Sequence, residues 1–502
     1  MTAINIYWHN YRYFPYERDF SYKEAVGLLE PVEIKNKKDG FQLLGRFDNS
    51  DISKLVYFSH YEINNQKHPT LQYLFEKNSS GNGKKRQSTR YSSHDLHEYR
   101  GRFNPQIVRS ILNMLGVDKK AKVFDPFCGC GTTLVECAHV DISAVGCDIN
   151  PLAVFIANAK VKALGIRAKK LKEEGEIVLD KFYSNGGRDI EDNTDERQRY
   201  LSRWFPPDEL NDIELLRKII LTHSSPGKEI LLAIVSNLLR DYSLQEPADL
   251  RIRRRKSPFP TVTLIDVFRK DLYSFCVNLE QAQEAIGVKI SKNKAYRCDT
   301  QEIKKKLWGW DLDSFFDAVI TSPPYATALP YIDTQRLSLI WLGLCDVNNL
   351  RRYEANLTGS REFLREQKKS CGYNFDNNLA DLPKALYGFL LKLKNAVSSD
   401  DGFRRRELPI LLYRYFSNMK NIFHSVAKVV KPKGAFVLII GHNKTCLGGI
   451  NYDINTPVLL KELAQESGWI IDFSHPLQTY QRYGMNMDNA VSSEDMICLR
   501  RR

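Results

Sequence analysis

The sequence predicts an α/β fold, a doubly wound and mostly parallel sheet with helical regions inserted into its connections. Three observations point there. Residues 121–164 read as a strand ending in an acid, a Gly-rich turn, a helix, a second strand ending in an acid and a second helix, the order of a βαβ unit. Short apolar runs then recur in "KAYRCD" at 294–299, "FDAVITS" at 316–322 and "GAFVLIIG" at 434–441. Finally, "GWIIDFS" at 468–474 and "EDMICLRR" at 494–501 supply two further strands to complete such a sheet.

Along the chain, the first ninety residues mix aromatic and polar pieces and end in "KNSSGNGKKRQSTR" at 77–90, which reads as a linker or mobile loop. Regularity begins with a helix through "VRSILNMLG" at 108–116. The strand "AKVFD" ends at Asp125, the helix "TTLVECAHV" follows the turn, "SAVGCD" ends at Asp148, and a helix runs from Pro151 to about Leu164. Polar helices then fill a first insert that contains Trp204 and closes in "DLRIRRRKSP" at 249–258. A second insert separates the strands at 316–322 and 434–441. Its "EFLREQKKSCGYNF" at 362–375 reads either as an element closing over a substrate or as surface loop. The expected organisation is an N-terminal accessory region at 1–90, core at 91–166, a helical insert with possible target recognition at 167–261, core at 262–347, the second insert at 348–408 and core at 409–502.

Composition bounds the function. At 502 residues the chain exceeds a single simple core, given about 100–200 residues per domain. Apolar runs such as "AFVLII" at 435–440 fall far short of the roughly 20 residues of a membrane span, and the Tyr-rich start lacks the apolar region of a secretory signal, so a cytoplasmic protein is expected. Ten scattered cysteines suit reduced thiols, and Cys128 with Cys130 lacks a second pair at zinc-ligand spacing, so no metal is expected. A net charge of +13 suits a polyanionic partner. The cations cluster in "GKKRQSTR" at 83–90, the run at 249–258, "EIKKKLW" at 302–308 and "GFRRREL" at 402–408. Each alone reads as a solvated face; together they favour nucleic acid. Within the run at 249–258, Arg251, Arg253, Arg254, Arg255 and Lys256 are the candidate phosphate or guanine contacts.

Two stretches carry chemistry. "VFDPFCGCGTTLVEC" at 123–137 follows a strand and opens a helix, where α/β sheets bind ligands. Gly129 and Gly131 allow a tight turn, while Thr132 and Thr133 stand where a phosphate loop would carry Lys. Acids at 125 and 148 without a phosphate counter-charge indicate a nucleoside without phosphates. In "AVITSPPYATAL" at 318–329 two prolines stop a strand abruptly and fix the carbonyl that follows Ser322.

At these residues a family resemblance emerges. "DPFCGCGTT" resembles the S-adenosylmethionine-binding motif of the amino-methyltransferases that modify nucleic-acid bases, and "TSPPY" is similar to their catalytic Asp/Asn/Ser-Pro-Pro-Tyr motif. "HDLHEYRGRFNPQIV" at 94–108, with His97 and Tyr99, resembles the segment that covers the methionine end of the cofactor. The resemblance implies a Rossmann-like sheet of seven strands. It implies that Asp125 receives the methionine amino group, that Pro126, Phe127, Gly129, Gly131, Thr132 and Thr133 form the cofactor turn, and that Asp148, with Asn150 beyond it, binds the ribose hydroxyls. Asp299 is either placed near the adenine amino group or caps the segment after it.

The family chemistry also explains the prolines. An exocyclic amine is a poor nucleophile because its lone pair is delocalised into the ring. Ser322 Oγ and the Pro323 carbonyl would accept its hydrogens, Pro324 would keep that acceptor rigid, and Tyr325 would stack on a base turned out of double-stranded DNA. Carbon methylation of cytosine uses a Cys after Pro, and no Pro-Cys occurs in the chain. Ser in first position is commonest in the family for cytosine N4, which is therefore the expected target. Adenine N6 in DNA, guanine N2 in RNA and a non-catalytic nucleic-acid-binding scaffold are the alternatives. The resemblance further implies a role as the modification arm beside a cognate restriction or phage-defence protein.

Overall fold

The computed structural model describes residues 2–77, 86–185, 195–303, 306–307, 309–326, 331–478 and 493–502. Seven strands form one sheet: β1 (Lys122–Asp125), β2 (Ser143–Asp148), β3 (Lys294–Arg297), β4 (Phe316–Thr321), β5 (Val430–Gly441), β6 (Trp469–Gln478) and β7 (Ser493–Arg501). Their order across the sheet is β6-β7-β5-β4-β1-β2-β3. Pairings from β5 to β3 are parallel, and only β7 runs against its neighbours β5 and β6. All five runs read as strands outside the first βαβ unit therefore join it in one sheet. The third is shorter than its sequence suggests, ending at Arg297, so Asp299 lies just beyond the strand.

Strand alternation separates two cores. Along β5, Ala435, Val437 and Ile439 face one side, and Phe436, Leu438 and Ile440 the other. The first side is covered by helices Pro105–Met114, Thr132–His139 and Pro151–Leu164 and by the first insert. The second is covered by helices Lys384–Asn395, Leu408–Val429 and Thr456–Glu466. The helix after β2 starts where sequence chemistry dictates, with Asn150 capping the Leu152 amide at 3.0 Å and Pro151 in its first turn.

Helices occupy much of the region expected as the first insert, and a long helix follows it. Helix Leu264–Ile286 lies along helix Ala168–Ser184, its Phe268, Leu272, Phe275 and Leu279 forming one buried stripe. Gly175 lets the pair meet closely, since a Cβ there would stand 2.1 Å from Leu272 Cδ2. The run "EFLREQKKSCGYNF" forms mostly helix, Arg365–Asp376. Parts of "GKKRQSTR" and "EIKKKLW" lie outside the described residues.

The N-terminal region forms its own antiparallel sheet, in the order Glu33–Lys37, Gly40–Gly45, Thr2–Trp8, Phe58–Ile63 and Gln66–Pro69. Buried polar groups fasten it to the larger sheet. The Glu24 carboxylate accepts from the amides of Val56 and Tyr57 and from Asn113 Nδ2 at 3.0 Å, joining helix Pro15–Leu29 to helix Pro105–Met114. On the helix after β1, Glu136 accepts from Arg109 at 2.7 Å and from Tyr91 at 2.9 Å, and lies 2.7 Å from His94 Nε2. Burial opposes its charge, yet the Arg109 guanidinium and the neighbouring histidines hold Glu136 well below the usual carboxylate range. His94, Glu136 and His139 approach one another like metal ligands, but the Arg109 guanidinium already sits on the shared carboxylate, so we read the cluster as a buried ion-pair network.

Candidate active site at the carboxyl edge of the sheet

A cavity of about 1970 Å³ opens where the parallel strands end. His97, Tyr99, Pro126, Phe127, Gly129, Asp148, Asn150, Asp299 and the four residues Ser322 to Tyr325 all line it. Three segments recognised separately in the sequence thus share one space. The turn after β1 enters it with Gly129 at φ +48° and Gly131 at φ +81°, conformations that an L side chain resists. At Gly131 a Cβ would also stand 2.7 Å from that of Ala157, so the turn packs directly on the next helix.

Asp125, fully buried, is the hub of the site. Its carboxylate accepts from Thr133 Oγ1 at 2.6 Å, from Thr321 Oγ1 at 2.6 Å and from the Phe127 amide at 3.1 Å. The Thr321 bond ties the end of β1 to the residue immediately before Ser322. Burial pushes the Asp125 carboxyl up to about 6 against these donors. Asp125, Gly131, Thr132 and Thr133 stand behind the cavity wall rather than on it.

Asp148 at the end of β2 is half-buried and lines the cavity. It accepts from the amides of Gly129 at 2.9 Å and Asn150 at 2.8 Å, and burial raises it to about 6. Asn150 caps its helix and donates through Nδ2 to Gln335 Oε1 at 2.6 Å, so its side chain is engaged within the protein. Asp299 accepts from the Gln301 amide at 3.0 Å and caps a short turn while also lining the cavity. His97 is buried, lies 3.3 Å from Ser236 Oγ and is lowered to about 4 by burial, which keeps it neutral.

At the end of β4 the Ser322 hydroxyl is half-buried and has no hydrogen-bond partner among the described residues. An acceptor is therefore open toward the cavity. The Tyr325 phenol donates to Glu494 Oε1 at the start of β7. This contact was not legible locally, because Glu494 lies 169 residues further along the chain and reaches the site only through the sheet order. Thr321 and Gln335 were also missed, the first hidden in an apolar strand and the second in an unremarked helix.

The arginine run divides. Arg255 donates to the carbonyls of Asp241, Ser243, Ser257 and Pro258, and so closes the loop on itself. Arg254 donates to the Arg203 carbonyl at 2.7 Å and lies over the Trp204 ring. Arg253 pairs with Asp249 at 2.9 Å, and Lys256 is exposed away from the cavity. Arg251 lines the cavity, and its guanidinium takes no hydrogen bond or ion pair among the described residues. Arg255 is thus held by four backbone carbonyls, whereas Arg254 is exposed and bonds one.

Comparison with known proteins places this geometry. The family described as DNA methylase matches residues 5–159, which include the N-terminal sheet and the turn after β1. The chain is 21% identical over 441 residues to the Type II methyltransferase M.BsoBI of Geobacillus stearothermophilus, covering 82% of this chain and 84% of that protein. It is 25% identical over 395 residues to the Type II methyltransferase M.MvaI of Kocuria varians, covering 75% and 82%. Among solved structures, a SAM-dependent methyltransferase of Methanosarcina mazei aligns with a TM-score of 0.26 and 9% identity, over 76% of this chain and 92% of that one.

Proposed function

We propose that this chain, which belongs to the S-adenosylmethionine-dependent DNA amino-methyltransferase family, methylates the exocyclic N4 amine of cytosine in double-stranded DNA. The observation that carries the reading is the Thr321–Asp125 hydrogen bond of 2.6 Å, which holds the Ser-Pro-Pro-Tyr segment against the cofactor turn. Ser322 favours N4 over adenine N6, and adenine N6 uses the same residues in the same roles.

S-adenosylmethionine supplies an electrophilic methyl group on a sulfonium centre. The residues present suit that cation and its ammonium: Asp148 and Asp299 line the cavity, and Asp125, directly behind the part of the wall formed by Pro126 and Phe127, has one of about four carboxylate acceptor sites left after three hydrogen bonds. In this reading Asp125 receives the methionine amino group, Asp148 the ribose hydroxyls, and His97 and Tyr99 cover the methionine end. Asp299 borders the adenine from its cap.

The chain's own residues then act on the amine. Ser322 Oγ and the Pro323 carbonyl accept its two hydrogens, which localises the lone pair and turns it toward the methyl group. Pro323 and Pro324 fix those acceptors, so no reorganisation is needed at the moment of transfer. Tyr325 offers its ring to the extruded base, and its phenol is held by Glu494. After transfer the amine carries a positive charge, and Ser322 is placed to pass the surplus proton to solvent through the open cavity.

The Type II designation of the relatives supports a role as the modification arm beside a cognate restriction or defence protein, a role we place in the cytoplasm. Among the described residues no helix is long and apolar enough to cross a membrane. The division of the chain into accessory, core and insert regions belongs to the same proposal, with the first insert extended to 286. Ser322→Ala and Tyr325→Ala test the mechanism: each abolishes transfer of a labelled methyl group while cofactor affinity stays at the wild-type level. Unchanged turnover in both variants removes it.

A further inference from the structure

Between 348 and 408 the chain carries twelve Lys and Arg against eight Asp and Glu, whereas residues 167–261 carry eighteen against seventeen. Of the two inserts, the second thus carries the larger excess of positive charge. Two of its cations, Arg361 and Arg404, line the cavity beside Arg251 from the first insert. They stand close enough that desolvation, together with Arg404 and Arg251, lowers the affinity of Arg361 for its proton. Like charges gathered on one wall are stabilised by an anion.

The wall also holds Asp333, Glu354 and Glu362. Burial and the two neighbouring acids raise Glu354 to about 7, so it neutralises only part of the positive charge. Beyond the wall, the short helix Phe403–Arg406 presents Arg404, Arg405 and Arg406 to solvent. Phe403 is 66% exposed and Tyr373 is 65% exposed on the same insert, an unusual position for large rings. Exposed cations interleaved with exposed aromatic rings suit a phosphate backbone and stacked bases, and suit no apolar protein surface.

We propose that the second insert, rather than the arginine run closing the first, carries the DNA-recognition surface, and that Arg361 and Arg404 join Arg251 in gripping phosphates beside the extruded base. The proposal rests on the DNA-methyltransferase reading and adds where the duplex lies. Arg255 is engaged through all of its guanidinium nitrogens by backbone carbonyls, and Arg254 does not line the cavity. The duplex runs across the cavity mouth with its flank on helix Phe403–Arg406.

The test measures affinity for a short DNA duplex by fluorescence anisotropy at about 50 and 200 mM salt, where each phosphate contact contributes about 3.5-fold to the loss of affinity. For Arg361→Ala/Arg404→Ala the loss over that range is about tenfold smaller than for the wild type. Arg404→Ala alone, at an exposed position that does not bear on folding, is about 3.5-fold smaller. The exposed pair Lys169→Ala/Lys170→Ala in the first insert keeps the wild-type salt dependence. A wild-type salt dependence in both arginine variants overturns the proposal, as does tighter binding of an RNA duplex with the same dependence. Labelled methyl transfer to DNA by the wild type is measured alongside. Its absence sinks the enzymatic reading, whereas transfer with unaltered salt dependence sinks the recognition surface alone.

Discussion

Thr321→Val removes one donor from Asp125 and almost no volume. Asp125 is fully buried, and the lost bond of 2.6 Å is charge-assisted, so its removal weakens the ionised carboxylate by about 1.5–3 kcal/mol. At 1.36 kcal/mol per tenfold change, the midpoint of the Asp125 carboxyl moves from about 6 to between about 7 and 8. Receipt of an ammonium requires the ionised form. At pH 7 the variant is therefore ionised in about a tenth to a half of molecules, and cofactor affinity falls about two- to tenfold. Calorimetric titration with S-adenosylmethionine between about pH 5 and 9 reads this directly, the loss being recovered near pH 9. Stability follows a related course. Because burial holds Asp125 at about 6, above the ordinary aspartate range of about 4, its favourable contribution is fully present below about 4 and is lost as pH rises through about 6. In the variant the loss begins at the same pH but continues through about 7 to 8, so the variant is less stable than the wild type at neutral pH. An unmoved pH midpoint for cofactor binding in Thr321→Val refutes the role given to this bond.

Three further outcomes follow from the packing and the site. Glu494→Ala removes the carboxylate that accepts from the Tyr325 phenol and raises KM for DNA several-fold with cofactor affinity unchanged, while Glu494→Gln, which keeps an acceptor, restores most of it; equal defects in both point to strand damage instead. Gly131→Ala forces a Cβ against Ala157 at φ +81°, and chemical denaturation is expected to show at least about 1–3 kcal/mol of lost stability. Arg109→Met leaves the buried Glu136 without its guanidinium and costs about 3–5 kcal/mol in the same assay, with a shift toward protonation of Glu136 at neutral pH.

Much of the sheet was legible because strands such as β1, β2 and β5 carry apolar runs closed by an acid or a glycine. The turn after β1 could be read from Gly129 and Gly131, whose positive φ angles no other residue type adopts as readily. The N-terminal sheet was harder. Its buried residues, such as Ile4, Ile6, Phe41 and Leu43, alternate with polar ones in strands too short to separate from loop by pattern alone. Arg255 illustrates the limit of charge counting, since its bonds to four carbonyls are invisible in a run of arginines. Glu494 illustrates the limit of local motifs. Only the reversed insertion of β7 beside β5 brings it to Tyr325.

The most direct measurement is mass spectrometry of nucleosides from DNA and RNA incubated with the protein and labelled S-adenosylmethionine. Labelled N4-methylcytosine in DNA, absent with Ser322→Ala, is the expected result, and N6-methyladenine keeps the mechanism while changing the base. Label in RNA alone, or in neither polymer, contradicts a DNA amino-methyltransferase built on Ser322 and Tyr325.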